Sequence, residues 1–201
     1  MRNASTKILV AMLLLVSSGT AFAHPGHDVS GFAAGLMHPF SGMDHLLAMV
    51  AVGLWAAQGN NGGSAGNGTR KVWLLPAAFM IMLVAGAGIA MQWQSLPLVE
   101  AGIATSVLSL GLLIMLALQL PVALSVSITA LFGLFHGYAH GLELPRSAAP
   151  AEYALGFLAA TASLHLCGIA TGLAIRKHDV FLTRLLGSAI AICGAYLLAT
   201  A

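Results

Sequence analysis

Long apolar segments alternate with short polar stretches along almost the whole chain. A helix of about 20 apolar residues is long enough to cross the hydrocarbon core of a bilayer, so each segment predicts a transmembrane helix. Proline opens two of the segments, at Pro97 and Pro121, and proline is well tolerated at the first position of a helix. The pattern predicts an all-α fold, a polytopic membrane helix bundle with six transmembrane spans, at about 31–57, 72–91, 97–118, 121–141, 152–175 and 180–200.

The N-terminal residues have the pattern of a secretory signal peptide. Arg2 and Lys7 precede a short apolar core at residues 8–16, and Ala21-Phe22-Ala23 then matches the small-x-small cleavage pattern. The apolar core is too short to span a bilayer comfortably. We therefore expect a cleavable signal peptide at residues 1–23, followed by a six-span membrane domain at residues 24–201 that begins with His24 on the outer side.

The first span contains a polar interruption at His38-Pro39. Because proline suits the first position of a helix, we expect the span to be broken there, with Pro39 opening the second helix and His38 at its cap. The break would divide a short or re-entrant piece from a full helix. A stretch rich in glycine and asparagine follows the span, and its composition predicts a flexible cytoplasmic loop at residues 59–69.

Composition supports a membrane protein and excludes some partners. Hydrophobic residues make up 59% of the chain and charged residues only 7%, against about 25% charged residues in soluble domains. The formal net charge of +2 is too small to indicate a nucleic-acid partner. Basic pairs at Arg70-Lys71 and Arg176-Lys177 fall in loops on one side, which the positive-inside rule assigns to the cytoplasm, so both mature termini are expected outside. Five of the six acids fall at or near the outer face: Asp28, Asp44, Glu100, Glu143 and Glu152.

Two polar clusters interrupt the apolar segments. The first holds His38, Asp44 and His45, and the second holds His136 and His140. A charged side chain at the centre of a membrane helix costs roughly 2.5–3.5 kcal/mol on insertion scales, so such residues usually face the protein interior and have a function. His136 and His140 share a helix face, and Glu143 continues that face. Span one runs inward and span four outward, so both clusters are expected at a similar depth near the outer surface and can meet.

These side chains have the chemistry of a transition-metal site. Neutral imidazole is a good ligand for Ni, Co, Zn and Cu, and a carboxylate can either bind the metal or orient a ligating imidazole. We therefore take His38, His45, His136 and His140 as candidate ligands, with Asp44 as a ligand or an orienting partner. For any one histidine alone, a core side chain bonded to a backbone carbonyl is the preferred interpretation. For the whole set it is not, because leaving five such groups buried without partners would be costly.

Three further histidines are secondary candidates. His165 lies near the middle of span five and is either an inner way-station for a metal or a structural hydrogen-bonding histidine. His24 and His27 could capture metal at the mature N-terminus, although a mobile tail is the preferred interpretation of that segment.

Both clusters resemble the sequence motifs of a known family. The stretch from His38-Pro39-Phe40 to Asp44-His45, together with Phe135-His136-Gly137-Tyr138-Ala139-His140-Gly141-Leu142-Glu143, is similar to the HupE/UreJ family of hydrogenase and urease accessory proteins, which are taken to be nickel permeases. The resemblance covers the whole chain. It implies secondary Ni²⁺ transport that supplies nickel enzymes, and it adds Glu143 to the metal-binding set of His38, Asp44, His45, His136 and His140.

The leading hypothesis is a permease of the bacterial inner (cytoplasmic) membrane that moves Ni²⁺, or Co²⁺, from the periplasm to the cytoplasm. The expected partners are a divalent transition-metal ion, membrane lipid and cytoplasmic nickel chaperones, with no prosthetic group and no enzymatic activity. A Gly-rich Walker pattern is absent from the sequence, so ATP is not expected to drive transport through this chain. One alternative is a membrane cytochrome b-type subunit with histidines as axial haem ligands. Another is an intramembrane metalloprotease, but the sequence lacks a His-Glu-x-x-His motif.

Overall fold

The structure is a computed structural model that describes residues 31–59, 68–92, 98–143, 150–176 and 180–201. The predicted signal peptide, His24, His27 and most of the predicted loop at 59–69 lie outside the described residues. The described residues form seven α-helices, which confirms the all-α prediction. These are α1 (Phe32–Ser41), α2 (Met43–Gln58), α3 (Gly68–Ala90), α4 (Val99–Met115), α5 (Val122–Leu142), α6 (Pro150–Arg176) and α7 (Val180–Thr200).

The helices are those of a multi-pass membrane protein. Four of them, α3, α5, α6 and α7, are long and apolar enough to cross a membrane, and α1 with α2 forms a fifth candidate as a bent pair. Helix α4 has 17 residues and is about 25 Å long, which is shorter than a typical hydrocarbon core. The structure thus supports four or five spans by length among the described residues, and the count of six stays a prediction.

The predicted break in the first span is confirmed, but it lies at Gly42, so the prediction that Pro39 opens the second helix with His38 at its cap was wrong. Pro39 is inside α1, which continues to Ser41, and the Ser41 hydroxyl donates a hydrogen bond to the His38 carbonyl at 2.6 Å. Proline removes one helical hydrogen bond but does not force the chain to turn at once. The extended backbone of Gly42 (φ −108°, ψ 125°) makes the break, and α1 and α2 meet there at 87°.

Helix α2 is the centre of the bundle. It packs against α1, α3, α4, α6 and α7, and every residue from Ala51 to Gln58 is buried. A helix that is apolar on all sides belongs in the interior of a bundle, where each face meets another helix. Its first turn carries His45, so the helix that forms the core also carries part of the polar cluster into it.

Glycines bring the backbones of neighbouring helices into direct contact. Gly133 and Gly137 of α5 pack against the carbonyls of Phe79 and Leu83 in α3, and Gly53 of α2 packs against the His165 carbonyl of α6. Without a hydrophobic driving force between helices in lipid, small residues that allow close approach are a main source of helix association. These glycines are therefore points of close contact between α3 and α5 and between α2 and α6.

Two glycines in α3, two residues apart, test this packing. A β-carbon at Gly86 would overlap the Leu134 carbonyl and lie 2.8 Å from the Tyr138 amide nitrogen, whereas one at Gly88 would meet no described atom within 4 Å. We expect Gly86→Ala to lower the free energy of unfolding by about 1–3 kcal/mol through overpacking. Gly88→Ala is the matched control and should be neutral or stabilising by up to about 1 kcal/mol, because alanine is the better helix former. Thermal unfolding of the detergent-solubilised variants measures both, and equal midpoints would contradict the close approach of α3 and α5.

Candidate metal centre

The bend between α1 and α2 places two histidines beside one another. His38 lies in the last turn of α1 and His45 in the first turn of α2, and their ring centroids are 6.2 Å apart. A β-carbon at Gly42 would lie 2.6 Å from Asp44 Oδ1, so the missing side chain leaves the space that the Asp44 carboxylate occupies. The 87° bend therefore folds the polar part of the first span inward onto itself.

Helix α5 supplies the third imidazole of a compact group. The His140 ring lies 4.7 Å from the His38 ring and 4.3 Å from the His45 ring, in edge-to-face arrangements. One ring nitrogen from each of the three can be chosen so that all lie within 4.8 Å of one another. Metal–imidazole bonds are about 2.0–2.1 Å long, so two nitrogens on one ion are at most about 4.2 Å apart. Small side-chain rotations would bring all three onto one ion. We call His38, His45 and His140 the histidine triad.

Two carboxylates flank the histidine triad. Glu143 Oε2 lies 3.2 Å from His38 Nε2 and 3.5 Å from His140 Nδ1, and Asp44 Oδ1 lies 2.6 Å from His45 Nδ1. The Asp44 carboxylate also accepts a hydrogen bond from the His45 backbone amide at 2.8 Å. Contact with His140, and then with His38, holds the pKa of the Glu143 carboxyl below its ordinary value, so the group is anionic at neutral pH.

His136 is close to the triad but is not one of its three members. It lies one turn before His140 in α5, is fully buried, and its ring centroid is 5.3 Å from that of His45. Its Nδ1 is 2.9 Å from the Phe132 carbonyl oxygen. Because a carbonyl oxygen can only accept, Nδ1 carries the proton, and the Nε2 lone pair of the neutral ring is left available.

Several buried ring nitrogens have no hydrogen-bond partner among the described residues. They include the Nε2 atoms of His45, His136 and His140. Buried polar atoms in proteins are nearly always satisfied, so each exception calls for an explanation such as an absent ion or water. A borderline divalent transition-metal cation is the ion that several converging imidazole nitrogens bind best.

Exposure falls steadily from the carboxylate to the deepest histidine. The side chain of Glu143 is 51% exposed, that of His38 28%, that of His45 11% and that of His140 4%, while His136 is fully buried. The centre is therefore open at one end and closed at the other. An ion that arrives from solvent would meet the carboxylate first and the imidazoles afterwards.

Acidic residues line the open end. A cavity of about 470 Å³ is lined by Glu100 and Glu143, and a cavity of about 400 Å³ is lined by Asp44 and Glu100. The sequence predicted that these acids share one face of the membrane, and the three do lie together beside the histidine triad. A mouth lined by charges of one sign raises the local concentration of cations.

The structure adds two aromatic residues that the sequence did not single out. Tyr153 and Phe157 of α6 are both buried, and their rings lie 5.8 Å and 6.0 Å from the His38 ring. Phe157 also packs on His140, with ring centroids 4.2 Å apart. Their four-residue spacing could have indicated a shared helix face, but nothing in the sequence indicated that this face covers the histidines.

The six primary candidates thus fall in one region, and His165 falls apart from the triad. His38, Asp44, His45, His136, His140 and Glu143 are linked by the contacts above, whereas His165 lies deeper in α6 and bonds to α2. His24 and His27 are outside the described residues, so their candidacy rests on the sequence alone.

Comparison with known proteins supports the resemblance noted from the motifs. The family described as HupE / UreJ protein matches residues 11–197. The curated relatives include Protein HupE of Rhizobium leguminosarum bv. viciae, which is 41% identical over 194 residues, a match that covers 96% of this chain and 97% of that protein. No solved structure matches the chain. By both the family match and this identity, the chain belongs to the HupE/UreJ family.

Proposed function

We propose that this protein is a secondary permease that moves Ni²⁺, with Co²⁺ as the alternative cargo, from the periplasm to the cytoplasm. The observation that carries the proposal is the histidine triad, because three imidazoles from separate helices converge within a membrane bundle and leave buried nitrogens without partners. Groups of this kind are expensive inside a membrane and usually mark the route of an ion. The chain belongs to the HupE/UreJ family, and the family's association with hydrogenase and urease supports nickel as the cargo.

The six candidate residues divide into three groups in this proposal: the carboxylates, the histidine triad and His136. Glu143 and Asp44 attract the hydrated cation at the acidic mouth, where Glu143 is half-exposed and anionic. His38, His45 and His140 then replace water molecules as ligands, and Asp44 fixes the orientation of the His45 ring. His136 lies one turn deeper, and its Nε2 atom can bind the ion next.

The choice of a borderline metal over a hard one follows from the ligand type. Imidazole nitrogens suit Ni²⁺, Co²⁺, Zn²⁺ and Cu²⁺, whereas Mg²⁺ and Ca²⁺ prefer an all-oxygen shell. The carboxylates alone would not exclude the hard ions, so selectivity against them rests on the triad. Delivery then proceeds to the cytoplasm, where we expect nickel chaperones to receive the ion for the maturation of hydrogenase or urease.

The haem alternative is less well supported by the geometry. Two axial imidazoles bind haem from opposite faces of a porphyrin. The rings of the triad instead pack edge to face at centroid distances of 4.3 Å and 4.7 Å, which leaves no room for a macrocycle between them. The purified protein should therefore lack a Soret band.

Removing a ligand from the triad should abolish uptake. We expect His45→Ala and His140→Ala each to reduce ⁶³Ni²⁺ accumulation at least about tenfold at submicromolar nickel, since losing even the orienting partner of a metal ligand costs 10–100-fold in affinity. Accumulation is measured in cells that lack other nickel uptake systems, and the amount of each variant in the membrane is compared by immunoblotting.

Ser188→Ala is the matched control for these two variants. Ser188 of α7 is half-buried, and among the described residues its hydroxyl donates a hydrogen bond to the Arg184 carbonyl of the same helix, so its loss should leave uptake unchanged. Accumulation equal to wild type in both histidine variants would exclude the triad as the metal site.

Competing metals should separate an imidazole site from a carboxylate site. We expect a tenfold excess of Co²⁺ to reduce ⁶³Ni²⁺ uptake strongly, and a thousandfold excess of Mg²⁺ to have little effect, because Mg²⁺ binds imidazole poorly. Initial rates of uptake with each competitor provide the measurement. Equal inhibition by Mg²⁺ and Co²⁺ at the same concentration would contradict selection by the histidines.

A further inference from the structure

We propose that His165 is a second, inner metal-binding position, to which an ion passes from the histidine triad. This inference rests on the proposed function and deepens it, because it assigns a step in the movement of the same cation. The ion that binds there is a divalent transition-metal ion that has already lost most of its water at the triad.

One buried face of α6 connects the triad to His165. Tyr153, Phe157, Thr161 and His165 follow one another at four-residue intervals and are all buried, so they form a stripe along one side of the helix. The upper half of the stripe contacts the triad, through the rings of Tyr153 and Phe157. Its lower half contains two buried polar side chains, Thr161 and His165.

The hydrogen bond made by His165 determines which of its two ring nitrogens is unprotonated. Nδ1 lies 2.8 Å from the Met49 carbonyl oxygen of α2, and a carbonyl oxygen only accepts, so Nδ1 carries the proton. The neutral ring therefore presents an unprotonated Nε2, which is the form that binds a metal. That Nε2 is buried and has no hydrogen-bond partner among the described residues. His136 has the same arrangement, with Nδ1 on the Phe132 carbonyl and Nε2 free.

The two histidines share a neighbour. The Phe79 ring of α3 lies 5.3 Å from the His136 ring and 5.2 Å from the His165 ring, measured between centroids. His136 in turn lies 5.3 Å from His45 of the triad. A series of ring contacts thus leads from the triad through His136 and Phe79 to His165.

The order of depth agrees with an inward path. Met49, the partner of His165, follows His45 by four residues in α2, which is about 6 Å further from the open end. His165 follows Phe157 by eight residues in α6, or about 12 Å along that helix. The hydroxyl of Thr161, one turn above His165 on the same stripe, is also buried without a described partner. It offers an oxygen on the way between the two positions.

If His165 only made the hydrogen bond to Met49, its role would be structural. That role would not explain why its Nε2 atom is buried without a partner. An asparagine at position 165 can still donate its side-chain amide to the Met49 carbonyl, because the amide of asparagine lies where Nδ1 lies in histidine. It has no atom equivalent to the Nε2 lone pair. A cysteine has the opposite properties, since its thiolate can bind a soft metal but makes no comparable bond to the carbonyl.

The test compares transport and binding in His165→Asn. Wild type, His165→Asn and His140→Ala are reconstituted into liposomes that contain a Ni²⁺-sensitive dye, and Ni²⁺ binding to the same proteins in detergent is measured by equilibrium dialysis. We expect His165→Asn to bind Ni²⁺ at the triad within threefold of the wild-type affinity but to transport it at least tenfold more slowly. His140→Ala should lose both binding and transport. Transport by His165→Asn at the wild-type rate would overturn the inference, and so would loss of triad binding in a monodisperse protein, which would mean that His165 only supports the outer site.

A second variant decides the matter if His165→Asn does not fold. His165→Cys should transport at a third of the wild-type rate or more if the position binds metal, and transport at the background rate would then overturn the inference. Failure of the proposed function is distinguishable, because it would appear as absence of Ni²⁺ and Co²⁺ transport by the wild-type protein and would remove both proposals. If the wild-type protein and His165→Asn both transport Ni²⁺, only the inference about His165 is overturned.

Discussion

The cost of burying an imidazole nitrogen without a partner governs the organisation of this protein. Polar groups taken from water into an apolar interior must be hydrogen-bonded or coordinated. In His136 and His165, one ring nitrogen is bonded to a backbone carbonyl, and in His45 one is held beside a carboxylate. The second nitrogen of each has no such partner in the described part of the chain. The rings are thus oriented by the protein with one nitrogen unpaired, which is the arrangement that the proposed metal route requires.

Backbone packing makes this arrangement stable. The centre needs helices α1, α2, α5 and α6 to approach closely enough for short side chains to meet, and glycine permits that approach. Gly35 of α1 packs on the backbone of Tyr153 and Phe157, and Gly168 of α6 packs on the Val50 carbonyl of α2. These contacts fix the distance between the helices, and therefore the distances among the rings. Under the proposed function, rigid packing and metal binding are coupled, since a helix that moved apart would carry its ligand with it.

In the proposed function, the charge of the carboxylates attracts an ion, and the chemistry of the imidazoles selects which ion binds. Glu143 and Asp44 stand where water is present, so they can attract a hydrated ion over a distance but cannot discriminate strongly among cations. The imidazoles lie where exposure is low, and there an ion must exchange water for nitrogen. The carboxylates and imidazoles of this gradient of exposure all belong to the two motifs that resemble the HupE/UreJ family, to which the chain belongs.

The sequence by itself determined which residues are polar, where three of the apolar helices begin and end, and which motifs contain the candidate site residues. Hydropathy and period are local properties, so α5, α6 and α7 lie within two residues of their predicted bounds, and all six motif residues gather in one region. Only the tertiary structure showed that the first span breaks at Gly42. Pro39 can end a helix or lie near its end. Here α1 continues past Pro39 to Ser41, and the Asp44 carboxylate packs beside Gly42. It also decided that His136 and His165 lie below the triad and that Tyr153 and Phe157 cover it. Contacts between helices depend on how the bundle closes, and no pattern within a single segment encodes them.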